Sequence, residues 1–192
     1  MKILLVVATQ QEVIEDKFKD CTVLITAVGM VNTSIQLTKE LMRNKYDLVI
    51  NMGVAGSFSD AIKTGNVVEV VEDSFSELGF ENGVEFEQFS DFELATKYSV
   101  EGKTDLQKVK GITVNTVHGN EASIAEIANR LSADVESMEG AAIFKVCKGF
   151  SIPCMQIRAI SNKVEKRNKA NWNIPLAIQN LNIAVAQIIA EL

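Results

Sequence analysis

Short apolar runs alternate along the chain with stretches in which hydrophobic residues recur at helical spacing. The apolar runs predict strands over residues 3–8, 22–28, 48–52, 67–71, 112–117 and 154–160. The other stretches predict helices over 31–43 and 123–131, a third that begins near Met138 and a fourth that begins near Pro175. Uninterrupted apolar runs are typical of strands covered on both faces. The order of elements predicts an α/β protein, a three-layer α/β/α sandwich around a mixed, mostly parallel central sheet.

The same pattern predicts which helix faces are buried. Helix 31–43 is expected to bury Ile35, Thr38, Leu41 and Met42, and the last helix to bury Leu181, Val185, Ile188 and Leu192. The glycine-rich residues 53–56, GVAG, are expected to form a turn after the third strand.

The segment between residues 73 and 107 has weak periodicity, and in it phenylalanines are interleaved with glutamates. The phenylalanines are Phe75, Phe80, Phe86, Phe89 and Phe92, and the glutamates are Glu77, Glu81, Glu85, Glu87 and Glu93. Two interpretations are open: the segment packs on the core and on a partner subunit, or it forms a wall over a ligand. Packing is favoured, because apolar residues near clefts are mostly structural.

Composition limits the function classes. A chain of 192 residues that is 47% hydrophobic and 23% charged fills one core, which predicts a single domain over residues 1–192. The net charge of −6 and the pI near 4.9 argue against a nucleic-acid partner. The three cysteines lie in apolar runs without a CxxC pair, which is typical of a reducing compartment. With one histidine and scattered cysteines, no metal site is expected.

The first apolar run ends at Ala8 and is followed by polar and acidic residues. It is too short for a signal peptide or for a membrane-spanning helix. We therefore expect a cytoplasmic protein with no membrane partner.

Polar side chains stand where the predicted strands end. Glu12 follows the first strand, Glu136 and Glu139 lie at the start of the third helix, and Asn162 follows the last strand. Because the carboxyl ends of parallel strands meet at one edge of a sheet, we expect one cleft with two carboxylates and an amide. Each residue alone also fits a structural role, as a helix-end acid or a cap. Two carboxylates without a metal, a thiol or a serine triad suit acid–base chemistry on a polyol such as ribose.

Four motifs carry a resemblance to a known family. They are ATQQEV at 8–13, DLVINMGVAGSF at 47–58, VESMEGAAIFKVC at 135–147 and PCMQIRAISN at 153–162. In this order they resemble the successive motifs of the nucleoside phosphorylase and nucleosidase family. The resemblance implies a nucleoside phosphorylase-like fold, a purine nucleoside as the small-molecule partner, no cofactor and a homodimer. The tail at 158–178, which contains Arg167-Asn168 and Trp172-Asn173, is similar to the futalosine-hydrolase branch of that family.

The resemblance also implies roles for individual residues. Glu12 matches the acid that positions and deprotonates the attacking water. Glu139 matches the acid that holds the ribose hydroxyls, and Met138 packs against the sugar. Asn162 stands where the leaving purine is contacted at N7. The implied substrate-binding residues further include Val54, Ala55, Gly56, His118, Glu136 and Ser161, with an ordinary surface-loop histidine as the alternative for His118.

One departure from the family pattern bears on the leaving group. Nucleosidases of methylthioadenosine and adenosylhomocysteine have an aspartate where this chain has Asn162. An amide N–H donates to N7 and O6 of a 6-oxopurine without the repulsion that a carboxylate has against O6. This favours hypoxanthine or guanine as the leaving base. The resemblance to the futalosine-hydrolase branch implies that the nucleoside is futalosine, hydrolysed in menaquinone biosynthesis.

The nucleophile follows from a second departure. The loops after the first two predicted strands lack arginine, since the first arginine of the chain is Arg43, and this favours water over phosphate. Another purine nucleosidase, a purine nucleoside phosphorylase and a catalytically silent nucleoside-binding module stay open as alternatives.

Overall fold

The computed structural model describes residues 1–89 and 94–192, so Phe92 and Glu93 lie outside the described residues. The strands are β1 (Ile3–Val7), β2 (Thr22–Ile25), β3 (Leu48–Ser57), β4 (Val67–Phe75), β5 (Gly79–Asn82), β6 (Glu85–Gln88), β7 (Lys97–Ser99), β8 (Gln107–Thr113), β9 (Val135–Ser137) and β10 (Cys154–Lys163). The helices are α1 (Met30–Arg43), α2 (Glu121–Arg130), α3 (Gly140–Phe150) and α4 (Ile174–Glu191), and short 3-10 turns lie at Gln10–Glu12, Glu15–Lys17 and Lys169–Asn171.

Eight of the described strands form one curled sheet in the order β10-β4-β8-β9-β3-β1-β2, with β7 also paired to β4. Because β10 pairs with β3 as well, the path through β4, β8 and β9 closes into a ring of five strands. Five pairings in this sheet are parallel and three are antiparallel. The predicted α/β class with a mixed, mostly parallel sheet is confirmed.

The side chains of β1 alternate between two helical layers, as a strand with both faces covered requires. Ile3, Leu5 and Val7 pack in the core that contains α4. Leu4 and Val6 pack in the core that contains α1 and α3. Burial of each side chain of this size contributes about 1.5–3 kcal/mol, so the three-layer arrangement uses both faces of the strand.

Helix α4 covers one face of the sheet. Leu181, Val185 and Ile188 are buried as predicted, whereas Leu192 is exposed because the helix ends at Glu191. By length and composition alone, the stretch Lys169–Glu191 could cross a membrane. In this fold Ala177, Leu181, Val185 and Ile188 form a core with β1, β3 and β10, while Ile174, Leu176 and Ile183 are exposed.

The predicted buried face of α1 is right at Leu41 and wrong at Ile35 and Met42. The helix buries Thr33, Leu37 and Leu41, while Ile35 is 46% and Met42 is 74% exposed. A polar residue occupies the buried stripe because the Thr33 hydroxyl lies 3.0 Å from the hydroxyl of Thr26. An apolar pattern alone therefore assigned part of the stripe to the wrong side of the helix.

The second predicted strand is also not buried on both faces. β2 lies at the edge of the sheet and pairs with β1 alone among the described strands, which leaves Thr22 and Ile25 exposed. β8 begins at Gln107 and ends at Thr113, so it precedes most of the strand predicted at 112–117.

Residues 53–56 are part of strand β3 and do not form the predicted turn. Gly53 is required for close approach, because a Cβ there would collide with the guanidinium of Arg158. A Cβ at Gly56 would stand 2.9 Å from Cγ2 of Val164. These glycines thus make room beside the strand while the chain continues in extended form.

Some of the described residues of the phenylalanine-rich segment pack on the rest of the protein, while Phe80 is 45% exposed. β4 extends to Phe75, whose buried ring contacts Tyr98 edge-on with centroids 6.1 Å apart. Phe86 lies under the guanidinium of Arg130, whose Cζ is 4.1 Å from the ring centroid. Phe80 and Phe89 contact each other with centroids 5.7 Å apart. The packing interpretation fits these contacts.

Candidate active site

One cavity of about 420 Å³ opens at the end of the sheet where β1, β3 and β10 finish. Its wall contains all ten residues that the sequence analysis assigned to a site: Glu12, Val54, Ala55, Gly56, His118, Glu136, Met138, Glu139, Ser161 and Asn162. The other lining residues are Ala8, Thr9, Gln11, Val28, Val117, Ser137, Trp172, Ile174 and Ile178. The fold therefore collects polar groups from both ends of the chain into one mostly apolar space.

The carboxylate of Glu12 is held rigidly at one wall. Glu12 ends the 3-10 turn that follows β1, and its side chain is buried. Its Oε2 accepts hydrogen bonds from the backbone N–H groups of Ala8 and Thr9, both at 3.0 Å. Its Oε1 accepts from Val54 N–H at 3.2 Å, which joins the turn to β3. Three backbone donors from two elements leave this carboxylate little freedom to rotate.

The turn that carries Glu12 is also fixed from below by α4. Asn182 is fully buried, and its Nδ2 donates to the carbonyl of Glu12 at 3.0 Å. Its Oδ1 accepts from the backbone N–H of Ile14 at 2.8 Å. One amide side chain thereby satisfies two buried backbone groups of the turn.

Glu139 precedes the first turn of α3, which begins at Gly140, two residues later than predicted. Its side chain is buried, and Oε1 accepts from the backbone N–H of Gly29 at 2.9 Å. Gly29 has φ of +98°, a conformation that favours glycine. Burial raises the pKa of the Glu139 carboxyl above its usual range, while the charge of Arg158 and the Gly29 bond oppose the rise.

Glu136 does not lie at the mouth of the helix, as the sequence analysis expected. It lies in strand β9, where it is buried and opposite Gly56 of β3. Glu136 and Glu139 therefore face the cavity from two different elements, and they serve different ends of it.

Arg158 is a functional candidate that the sequence analysis missed. It is 1% exposed in β10, its Nε donates to Gln156 Oε1 at 2.9 Å, and its Nη2 donates to Asn51 Oδ1. The guanidinium passes beside Gly53, next to Glu12. An arginine inside the apolar run MQIRAIS is the signal that was available, because a buried cation requires buried partners.

His118 is paired with Glu136 at the opposite wall. Its Nδ1 lies 2.6 Å from Glu136 Oε2, and its backbone N–H donates to Oε1 at 3.1 Å. The imidazole is mostly buried and lies edge-on to Phe58. It is therefore a residue of the cavity wall and not an ordinary surface-loop histidine. The bond to Glu136 raises the pKa of His118, while burial opposes the rise.

Asn162 lies beside this pair. Its Nδ2 donates one N–H to the carbonyl of Lys163 at 2.9 Å, and its Oδ1 accepts from the Ser161 hydroxyl at 2.7 Å. Nδ2 of Asn162 and Cγ of Glu136 lie 3.3 and 3.5 Å from the point where a Cβ of Gly56 would stand. The missing side chain at Gly56 thus lets an amide and a carboxylate approach the same end of the cavity.

The tail contributes apolar lining. Trp172 is part of the cavity wall, and the guanidinium of Arg167 lies over its ring with Cζ 5.0 Å from the centroid. None of the described phenylalanines of the 73–107 segment lines the cavity. Within residues 1–89 and 94–192, no group of three or more His, Cys, Asp or Glu side chains is placed to hold a metal ion.

Comparison with known proteins agrees with this geometry. The family model of the phosphorylase superfamily matches residues 8–191. This chain belongs to that superfamily. Futalosine hydrolase of Thermus thermophilus is 28% identical over 181 residues, which cover 88% of this chain and 80% of that protein. The 5'-methylthioadenosine/S-adenosylhomocysteine nucleosidase of Psychromonas ingrahamii is 27% identical over 183 residues, which cover 87% and 79%.

Solved structures of the phosphorylase superfamily show the same fold. Futalosine hydrolase of Helicobacter pylori matches with a TM-score of 0.89 at 16% identity, covering 100% of this chain and 98% of that chain. The methylthioadenosine/adenosylhomocysteine nucleosidase of the same organism, solved with butyl-thio-DADMe-Immucillin-A, also gives 0.89 at 16% identity, covering 100% and 99%. The predicted family and the predicted nucleoside phosphorylase-like architecture are confirmed.

The His118–Glu136 pair predicts a pH dependence of stability. The folded-state pKa of His118 lies above its ordinary value of 6.5, so the pair stabilises the fold fully below that value. The contribution is lost as the pH rises through the folded-state pKa. We expect His118→Gln to lower the free energy of unfolding more at about pH 5.5 than at about pH 8.5, measured by urea titration. Since the chain has one histidine, other contributions cancel in the comparison. Equal losses at the two pH values would contradict the pairing.

Proposed function

We propose that this protein is an N-glycosyl hydrolase that cleaves purine nucleosides with water, and that futalosine is its substrate. The observation that carries the proposal is the pair of buried carboxylates, Glu12 and Glu139, in one mostly apolar cavity. The name of the Thermus thermophilus relative supports the choice of substrate. On this proposal the enzyme releases hypoxanthine in menaquinone biosynthesis, and it acts as a cytoplasmic homodimer.

Glu12 is the general base. Its backbone hydrogen bonds hold the carboxylate in place, and Oε1, which accepts one of them, keeps a lone pair to accept from water. Glu12 takes a proton from water while the water oxygen bonds to the anomeric carbon of the ribose. The bond from that carbon to the purine nitrogen breaks, and its electron pair leaves with the base. The base takes up a proton from solvent water, and Glu12 returns its proton to solvent, so that each turnover consumes one water molecule.

Glu139 holds the ribose hydroxyls, and Met138 packs against the sugar. The bond from Gly29 N–H fixes Oε1 of Glu139, which leaves Oε2 and the second lone pair of Oε1 for the hydroxyl groups. Bonds from these hydroxyls to a fixed carboxylate strengthen as the sugar becomes oxocarbenium-like. Glu139 therefore stabilises the transition state more than the substrate.

Asn162 receives the leaving base. Its Nδ2 has two N–H bonds, one of which is used by Lys163, and the other is available to donate to N7 or O6 of a 6-oxopurine. Gly56 lets the purine ring approach the strand, and Val54, Ala55 and Ser161 complete the wall around it. This arrangement supports hypoxanthine as the leaving group.

Water is favoured over phosphate by the charge of the cavity. Among the described residues that line it there is no lysine or arginine, and three of them are glutamates, Glu12, Glu136 and Glu139. Arg158, whose guanidinium lies next to Glu12, already donates to Gln156 and Asn51. A phosphate dianion would need cations or forked donors in place of these carboxylates.

A second candidate is hydrolysis of methylthioadenosine or adenosylhomocysteine. The relative from Psychromonas ingrahamii, with nearly the same identity and coverage as the futalosine hydrolase, favours it. The two candidates share Glu12 and Glu139 and differ at the base and at the 5′ side of the sugar. Trp172 with Arg167 offers an aromatic surface and a cation at the rim for the carboxylate-bearing end of futalosine.

A substrate panel tests the proposal. The purified protein is incubated in phosphate-free buffer with futalosine, inosine and methylthioadenosine, and the free base is followed by chromatography. We expect hypoxanthine from futalosine and little base from the other two, because the Asn162 amide and the aromatic rim fit futalosine. Adenine from methylthioadenosine would support the second candidate. Turnover only after phosphate is added would overturn hydrolysis.

Glu12→Gln tests the general base. An amide cannot take the proton from water, so we expect the kcat to fall by about 10²- to 10⁴-fold with substrate binding retained. Binding is measured by calorimetry with the slowly turned-over variant. Glu15→Gln, an exposed acid three residues further on, is the matched control and should keep the wild-type kcat. A kcat near wild type for Glu12→Gln would remove Glu12 from this role.

Asn162→Asp tests whether Asn162 recognises the purine of the substrate. A carboxylate repels O6 and accepts from a 6-amino group, so we expect the ratio of kcat/KM for 6-oxopurine over 6-aminopurine nucleosides to fall by at least about tenfold. The measurement compares futalosine with its 6-amino analogue, which differ only at position 6 of the purine. Asn129→Asp, on the exposed face of α2, is the control. An unchanged ratio would contradict the proposed role of Asn162 in recognising a 6-oxopurine.

A further inference from the structure

One buried acid lies outside the cavity and has no part in the proposed reaction. Asp73 is 1% exposed near the C-terminal end of β4, where that strand pairs with β7 and β8. Its Oδ1 accepts from the hydroxyl of Thr113 at 2.9 Å, and its Oδ2 accepts from Nε2 of Gln156 at 2.9 Å. Both carboxylate oxygens of Asp73 therefore accept from side chains of other strands, Thr113 in β8 and Gln156 in β10.

The bond to Gln156 continues to the active site. With Nε2 donating to Asp73, the same amide must present Oε1 on its other side, and Oε1 accepts from Arg158 Nε at 2.9 Å. Arg158 in turn donates to Asn51 and lies beside Gly53, next to Glu12. The acid thus fixes which way the amide points, and the amide fixes the plane of the guanidinium.

The bond to Thr113 continues to the other catalytic acid. Because the Thr113 hydroxyl donates to Asp73, its oxygen accepts, and the donor is the backbone N–H of Ala141 at 2.7 Å. Ala141 lies in the first turn of α3, directly after Gly140, and Glu139 precedes that turn. The same carboxylate therefore also anchors the helix end from which Glu139 projects.

Asp73 and Gln156 both lie close to Gly140, and the absence of a side chain at Gly140 makes room for them. A Cβ at Gly140 would collide with Oδ2 of Asp73 and with Oε1 of Gln156. Burial raises the pKa of Asp73 to about 6, and the bonds from Gln156 and Thr113 and the charge of Arg158 oppose the rise. A buried ionised acid costs folding free energy, and apolar side chains of similar volume would stabilise the strand more. The arrangement is better explained by orientation than by stability.

We propose that Asp73 is a positioning residue of the nucleosidase site: through Gln156 it orients Arg158 beside Glu12, and through Thr113 it anchors the turn of α3 that carries Glu139. The inference rests on the proposed function, because both acids have their roles there. Asp73 touches neither the cavity nor any substrate in it. Its effect is on the geometry of groups that do.

The first test is Asp73→Asn, which keeps the shape of the side chain and removes the second acceptor oxygen. One of Thr113 and Gln156 then faces an NH₂ group and must reorient. We expect the kcat on the best substrate of the panel to fall by about 10- to 100-fold, since small displacements of catalytic groups have effects of this size. The KM should change by less than about threefold, because no group that lines the cavity is altered.

Glu69→Gln is the matched control. Glu69 lies four residues earlier on the same strand, is equally buried, and accepts hydrogen bonds from Lys103 and Thr104, away from Arg158. It should lose thermal stability comparably and keep its kcat. Equal losses of kcat in Asp73→Asn and Glu69→Gln would overturn the proposal, because they would report general loosening of β4. A higher KM with an unchanged kcat would overturn it as well.

Gln156→Met is a second variant for the case that Asp73→Asn does not fold. It cuts the arm to Arg158 and leaves the bond from Thr113 to Asp73 intact. Its kcat should also fall with little change in KM, and an unchanged kcat would overturn the path through Gln156. Where Asp73→Asn does fold, the double variant should lose less than the product of the two single losses, because both single variants break the path through Gln156. Fully multiplicative losses would overturn the path through Gln156.

A measurement without substrate separates this inference from the proposed function. The chain has four arginines, so the Nε–H resonance of Arg158 is assigned in the NMR spectrum by its loss in Arg158→Lys. We expect it to shift and to exchange faster with solvent in Asp73→Asn, and to stay unchanged in Glu69→Gln. If the wild type turns over no nucleoside, the proposed function fails and this resonance still decides whether Asp73 orients Arg158. An unmoved resonance would overturn the inference.

Discussion

The electrostatics of the site depend on the buried guanidinium of Arg158. A cation that is 1% exposed in the middle of a sheet is tolerated only where its donors are bonded and its charge is balanced. Gln156 and Asn51 supply acceptors, and Glu12 and Glu139 are the acids that benefit. The charge of Glu12 raises the pKa of Glu139, and Arg158 lowers it. Arg158 lies behind the cavity wall, where its charge favours having both Glu12 and Glu139 in a small apolar cavity. Because Arg158 does not line the cavity, the cavity is free for substrate.

The backbone register of two parallel strands sets this position. β3 and β10 pair so that Gln156 lies beside Asn51 and Arg158 lies beside Gly53. The long side chain of Arg158 fits only because its neighbour has no Cβ. Asn51 is held in turn, since its Nδ2 donates to the carbonyl of Val6 in β1 at 2.9 Å. Polar side chains of β3 and β10 and a backbone carbonyl of β1 therefore form one connected set inside the sheet.

The sequence pattern predicts the parts of this fold that depend on burial alone. Continuous apolar runs identified β1, half of β3 and most of β10, and polar residues at strand ends indicated Glu12, Glu136, Glu139 and Asn162. The family resemblance added the other six of the ten predicted residues that line the cavity. Prediction from the sequence pattern failed where a polar group is buried with a specific partner. Thr33 occupies a buried position of α1 where an apolar residue was expected. Gly53 was predicted to lie in a turn, because the side chain that requires a glycine there, Arg158, belongs to another strand. Such partners are 7 to 105 residues away, and periodicity carries no information about them.

Asp73 shows the same limit and what it implies about the site. It lay in the segment with the weakest pattern, and a single acid in a sequence of glutamates gave no signal. In the structure it accepts from Thr113 and Gln156 and lies in the same polar set as Arg158. A hydrophobic side chain in place of Asp73 would cost less in desolvation, but it would not hold Gln156 and Arg158 in one orientation. A reaction that separates charge in a dry cavity needs its dipoles oriented beforehand, and a buried acid bonded on both oxygens provides that orientation.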